Sequence, residues 1–203
     1  MRHLLLSCLF AALLAGCSAV PPQPPLDSLT RSWQENASWL QQQRRWEIKG
    51  KIGIRQDQQL TSATLSWHQQ YQDYQIFMSG PLGQGAVNIQ GNDRGIVLKM
   101  SGEESYYATS PELLLQQHLG WSLPLSSLDH WVKGLPSPDS PYRKKLNAGN
   151  LLDTLEQDSW KINFRSYHTN MAVPLPKKIV LTRGETLRVT LVVKEWNLSS
   201  AEG

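Results

Sequence analysis

Residues 46–55, WEIKGKIGIR, decide the fold class. Trp46, Ile48, Ile52 and Ile54 fall on one side of a two-residue period, and Glu47, Lys49, Lys51 and Arg55 on the other. Side chains alternate across a β-strand, so this is a strand with one face buried and one in water. The alternation recurs at Ala63, Leu65 and Trp67, at Ile76 and Met78, at Val87 and Ile89, and at Ile96, Leu98 and Met100. Turn residues separate these runs at 70–72, 80–85, 91–93 and Gly102. Short strands at such spacing make an antiparallel meander. Strands resume at 151–157, 160–167, 177–182 and 186–196, the last with Leu187, Val189, Leu191 and Val193 on one face.

Helical spacing appears in three places. Leu29, Trp33, Ala37 and Leu40 predict a helix over 28–45, with Arg44 and Arg45 at its C-terminal end, where the helix dipole favours cations. Ser110-Pro111-Glu112 reads as a helix start and Gly120 as its stop. A third helix fits 125–133, with Leu125, Leu128, Trp131 and Val132 on one side and Gly134 beyond it. The stretch from Pro136 through Arg143-Lys144-Lys145 reads as a loop. The expected fold is therefore mainly β with helices, an α+β antiparallel sheet. Such a sheet must curl and have its apolar face covered, and the helices are the available cover.

The N-terminus carries a different signal. Met1-Arg2-His3 is basic, residues 4–14 are almost wholly apolar, and Leu14-Ala15-Gly16-Cys17 follows. That is the pattern of a secretory signal peptide over 1–16, too short for a transmembrane span. LAGC resembles the lipobox of bacterial lipoproteins, which places lipidation on Cys17. Ser18, where an aspartate would mark retention at the inner membrane, points by the same analogy to the outer membrane. Residues 17–27, with Pro21, Pro22, Pro24 and Pro25, read as a lipidated N-terminus and extended tether reaching roughly 30 Å. Residues 28–203 are left for a single domain. The only other cysteine, Cys8, leaves with the signal peptide, so no disulfide forms within the mature chain.

Nothing in the chain assembles a catalytic or metal site. His68, His118, His130 and His168 are scattered without metal-ligand spacing. Ser127, Asp129 and His130 have the residue types of a triad but point in different directions on a helix. A net charge of +3 is too small to imply nucleic acid. Eight tryptophans are mostly core, with a few available to line an apolar pocket.

One turn is out of character. Residues 80–85, GPLGQG, hold Leu82 at a hairpin tip, where a side chain that gains about 1.5–3 kcal/mol on burial is out of place. In order, the LAGC lipobox, the tryptophan-bearing first helix, WEIKGKIGIR, GPLGQGAVNIQG, PLSSLDHWVKGLP and a last strand ending VKEWNL resemble the LolB family over essentially the whole chain. The resemblance implies an open, half-rolled antiparallel β-barrel with a helical lid enclosing an apolar cavity. It implies a non-enzymatic, monomeric outer-membrane receptor, anchored through Cys17 with its domain facing the periplasm. Such a protein takes acylated lipoproteins from the soluble carrier LolA and inserts them into the inner leaflet of the outer membrane, without nucleotide or other cofactor.

The same resemblance assigns membrane delivery to Leu82, shaped by Pro81 and Gly83. Candidate cavity and lid residues are Ile52, Ile54, Leu65, Trp67, Ile76, Met78, Val87, Ile89, Leu125, Leu128 and Trp131. Arg44-Arg45, Lys49/Lys51 and Arg143-Lys144-Lys145 are candidate steering charges for an acidic carrier. A structural or assembly lipoprotein that binds another envelope protein through its β surface stays open as the alternative.

Overall fold

The computed structural model describes residues 31–198. The signal peptide, Cys17 and the tether lie outside the described residues. The chain starts with helix α1 (Trp33–Gln41), then strands β1 (Arg45–Gln56), β2 (Gln59–Gln70), β3 (Asp73–Ser79), β4 (Val87–Asn92), β5 (Gly95–Met100) and β6 (Ser105–Ala108). Helices α2 (Pro111–Leu119) and α3 (Leu125–Val132) follow. Strands β7 (Tyr142–Leu146), β8 (Leu152–Gln157), β9 (Trp160–His168), β10 (Leu175–Arg183) and β11 (Leu187–Leu198) complete the fold. All eleven strands form one antiparallel sheet in the order β6-β5-β4-β3-β2-β1-β11-β10-β9-β8-β7.

Every neighbour in that order is consecutive in sequence except β1 and β11, which join two meanders into one sheet. The join is long, running from Trp46 opposite Leu198 to Gln56 opposite Leu187. A bulge between Lys49 and Gly50 shifts its register. Bulges bend a strand and increase its twist, which curls the sheet. Gly50 is required there for space, because a Cβ at this position would collide with the carbonyl oxygen of Val192.

The concave face is the core. Ile48, Ile52 and Ile54 of β1, Leu65 and Trp67 of β2, and Val189, Leu191 and Val193 of β11 are all buried there. Leu114 and Leu115 of α2 and Leu125, Leu128, Trp131 and Val132 of α3 close over them. Helix α1 belongs to a smaller cluster, in which Ala37 and Leu40 pack with Leu135, Val173 and Leu175.

Three expectations are corrected. The first helix ends at Gln41 rather than 45, because the Arg44 carbonyl already accepts the Tyr71 N–H and Arg45 begins β1. Ser32 caps its start, its hydroxyl accepting the Glu35 N–H while the Glu35 carboxylate accepts the Ser32 N–H. Residues 143–145 lie in β7 and not in a loop, and β6 is a further strand absent from the sequence reading. Both are edge strands with little apolar burial, so their sequences carry no period-two stripe. Strand β10 also starts earlier than 177, taking Pro176 into a bulged stretch.

Gly50→Ala is expected to destabilise the chain by about 2 kcal/mol or more, read as a lower urea midpoint. An unchanged midpoint would mean that β11 can move aside at the bulge.

Candidate functional site

Between the concave face and the lid lies a cavity lined only by apolar side chains. The sheet contributes Ile52, Leu65, Trp67, Ile76, Met78 and Ile89, and the lid contributes Leu125 and Leu128. Trp121 and Leu123, in the link between α2 and α3, also line it, as do Leu181, Val189 and Leu191. The sequence reading missed these five. The alternation of β10 and β11 was visible, but only the β1–β11 pairing shows that they share a wall with β1. The cavity holds about 30 Å³, room for little more than one water, so the lid is shut.

Three sequence candidates stand elsewhere. Ile54 is buried in the same core without lining the cavity. Val87 is half-buried at the start of β4, between Met78 and Met100. Trp131 is fully buried and anchors the lid, donating its indole N–H to Gln157 Oε1 at 2.9 Å beside Trp160.

Gln157 is the polar anchor of α3 and of the segment after it. Although only 3% exposed, it uses its amide fully. Oε1 accepts from Trp131 and from the Ser137 N–H, while Nε2 donates to the carbonyls of Ser137 and Ser140 at 2.8 and 2.9 Å. Lys133, just past α3, adds an ion pair with Asp129 at 3.2 Å. The link between the two lid helices has no such ties: among the described residues, no hydrogen bond links residues 121–123 to the sheet. Among the described residues no hydrogen bond links Ser127, Asp129 and His130 into a triad, although His130 Nδ1 lies 3.8 Å from Asp129 Oδ2. Asp129 serves Lys133, and His130 Nδ1 lies 3.2 Å from the Ser126 carbonyl oxygen. No metal-binding group of three or more His, Cys, Asp or Glu occurs among the described residues.

Leu82 is 99% exposed. It sits in a single 3₁₀ turn, Pro81–Gly83, with φ 58° and ψ 22°, a left-handed conformation that costs a non-glycine residue roughly 1–2 kcal/mol. The turn is tightly closed. Gly80 N–H donates to the Gln84 carbonyl at 2.9 Å, and Gly83 N–H to the Gly80 carbonyl at 3.1 Å. Gly83 and Gly85 also have positive φ, where glycine is the unstrained choice. The hydrogen-bonded turn therefore keeps a large apolar side chain in water in spite of its backbone strain.

The basic runs are partly neutralised locally. Lys49 pairs with Glu47, Arg143 with Glu156 and Lys145 with Asp153. Lys144 Nζ sits 3.9 Å from the Trp33 ring centre.

A family model described as outer membrane lipoprotein LolB matches residues 44–196. The chain belongs to the LolB family. This family is one of outer-membrane lipoproteins and not of enzymes. The chain is 40% identical over 198 residues to the outer-membrane lipoprotein LolB of Stutzerimonas stutzeri, covering 97% of this chain and 95% of that one. It is 41% identical to the LolB of Pseudomonas paraeruginosa, covering 91% of each. Among solved structures, a LolA superfamily protein from Nitrosomonas europaea superposes with a TM-score of 0.54 at 8% identity, covering 83% of this chain and 94% of that chain. A lipoprotein-sorting protein domain from Vibrio parahaemolyticus superposes at 0.53 and 6% identity, covering 84% and 92%. These likenesses show that the LolB-family sheet and lid share the fold of the LolA superfamily.

Two variants test the geometry. Gln157→Leu strands the Trp131 indole and two carbonyls, and is expected to lower stability by about 3 kcal/mol in urea unfolding. Leu82→Gly relieves the left-handed strain and loses no burial, so its midpoint should be unchanged or higher. A clear fall would show that Leu82 supports the fold.

Proposed function

We propose that the chain, anchored through lipidated Cys17, receives acylated lipoproteins from a LolA-type soluble carrier and inserts them into the inner leaflet of the outer membrane. The observation that carries this reading is an apolar cavity under a lid, on a domain whose most exposed large apolar side chain among the described residues stands on a hydrogen-bonded turn.

Exposing a sixteen-carbon acyl chain to water costs on the order of 12 kcal/mol at about 0.8 kcal/mol per methylene. A lipoprotein crossing an aqueous compartment must therefore pass between covered sites. In the closed state the cavity is far too small for such a chain, so the lid has to rise. The untied link at 121–123 is the part that moves, with Gln157 holding α3. Trp121, Leu123, Leu125 and Leu128 then lose apolar contacts, and the incoming chain replaces them with its own methylenes. The exchange is nearly balanced, which suits a protein that must release what it takes.

Leu82 supplies the contact with the bilayer. Its hydrogen-bonded turn presents one apolar side chain, and burial among lipid tails recovers the hydrophobic term forgone in water. Cys17 keeps the domain near the membrane, and Leu82 sets which part of it touches.

In liposomes bearing the full-length protein, Leu82→Glu is expected to receive lipoprotein from the carrier at the normal rate and to deposit it at least tenfold more slowly. The stalled lipoprotein would co-purify with the variant. Normal deposition with impaired receipt would overturn the role given to the loop.

A further inference from the structure

A groove of about 570 Å³ lies at the foot of the Leu82 turn, where Pro81, Leu82 and Gly83 meet Lys51, Thr64 and Thr190. The strand register shows which face it occupies. Ser79, Thr64, Lys51, Val192 and Lys178 are partners in turn across β3, β2, β1, β11 and β10. Directly opposite residues project to the same side of a sheet. Ile52 and Leu191, next to this row in their strands, line the apolar cavity, so the row itself faces outward on the convex side. It runs from the foot of the Leu82 turn to two lysines. In the adjoining row Gly53 lies between Ser62 and Thr190 and leaves the floor open, since a Cβ there would meet only the Ser62 hydroxyl at 3.9 Å.

This face carries cations without counter-charges. Lys51 and Lys178 are exposed. Arg55 stands directly opposite Arg188 across the β1–β11 join, a position in which like charges repel. The acids around them are Glu47 and Glu195 near Lys49, and Asp57 and Glu185 in the turns beyond β1 and β10. Among the described residues, none of these four acids pairs with Lys51, Lys178, Arg55 or Arg188, and Glu47 bonds Lys49 instead. Lys161 of β9 extends the basic side, while Glu156 opposite it is held by Arg143. Phe77, outward-facing between buried Ile76 and Met78, adds an apolar ring that is 43% exposed.

The occupant has to satisfy both the cations and Leu82. An acidic protein patch or free phosphate would meet the lysines and leave Leu82 in water. A phospholipid surface supplies hydrocarbon and phosphate together, separated by a headgroup layer only about 5–8 Å thick. We propose that the convex face of β1, β11 and β10 beside the Leu82 turn is a headgroup surface for anionic phospholipid. Lys51 and Lys178 meet lipid phosphates, Arg55 and Arg188 add to the attracting field, and Leu82 enters the tails. The inference rests on the reading of Leu82 as the bilayer contact and deepens it. One leucine fixes a point of contact, and the row of cations adds a direction, so the domain is held at the membrane in one orientation.

The test uses the full-length lipidated protein in liposomes of phosphatidylcholine with phosphatidylglycerol as the anionic lipid. Ser62→benzoylphenylalanine places a photoreactive group at the exposed side of the groove. Irradiation is expected to join it to phospholipid, and the adduct should fall at least threefold in phosphatidylcholine alone. Lys51→Gln with Lys178→Gln should lower the adduct at least fivefold, the effect of roughly one cation near an anionic surface, with an unchanged urea midpoint. Lys51→Arg with Lys178→Arg should restore it. No phospholipid adduct, an adduct within twofold of normal in the double glutamine variant, or an adduct on added LolA-type carrier in place of lipid would overturn the headgroup surface. Client transfer, followed in the same liposomes, separates this from the receptor reading. Normal transfer alongside any of those three results overturns the surface alone. A lysine-dependent phospholipid adduct in a protein that transfers no client would support the surface and overturn the receptor reading.

Discussion

The pairing of β1 with β11 is the constraint on which the rest of the molecule depends. Two meanders, each made of local hairpins, would otherwise be separate sheets with two exposed edges apiece. Joining them spans nearly the whole domain in sequence, so the loop-closure entropy is met before the contact is rewarded. The reward is a long ladder and a shared concave face, with Ile52, Val189 and Leu191 lining one cavity from both halves. The bulge at Gly50 gives that ladder its bend, and the absence of a side chain there lets the strands close on the carbonyl of Val192.

A curled sheet with an apolar interior needs a cover, and here the cover is held unequally. Around Gln157, four hydrogen bonds fix α3 and the segment after it, and Lys133 adds a buried ion pair. At the α2–α3 link the cover is held by apolar contact alone, through Trp121 and Leu123. Directional bonds make a pivot and non-directional ones make a seal.

Leu82 shows the opposite economy. Folding normally hides leucine and relaxes backbone strain, and this turn does neither. The turn is closed by the Gly80 N–H on the Gln84 carbonyl and the Gly83 N–H on the Gly80 carbonyl, so the strained residue is fixed in place by its neighbours' bonds.

Much of this was legible in the residues, because period-two alternation reports a half-buried strand wherever one face meets a core. That covers β1 to β5 and β8 to β11, the two lid helices, and the apolar tip at Leu82. Strands β6 and β7 were not legible: an edge strand that buries little, such as Tyr-Arg-Lys-Lys-Leu, leaves no stripe to read. Nor could periodicity divide the inward-facing residues. Ile52 and Ile54 share a face of one strand, yet only Ile52 lines the cavity, and Trp131 proved an anchor because Gln157 lies within reach of its indole. Sequence by itself determined the element types, the buried faces and the loop that violates burial, since these follow from local periodicity and side-chain chemistry. Only the tertiary structure decided which buried residues enclose space, which polar groups pin the lid and that Leu82 stands in water, because each depends on what distant strands bring alongside.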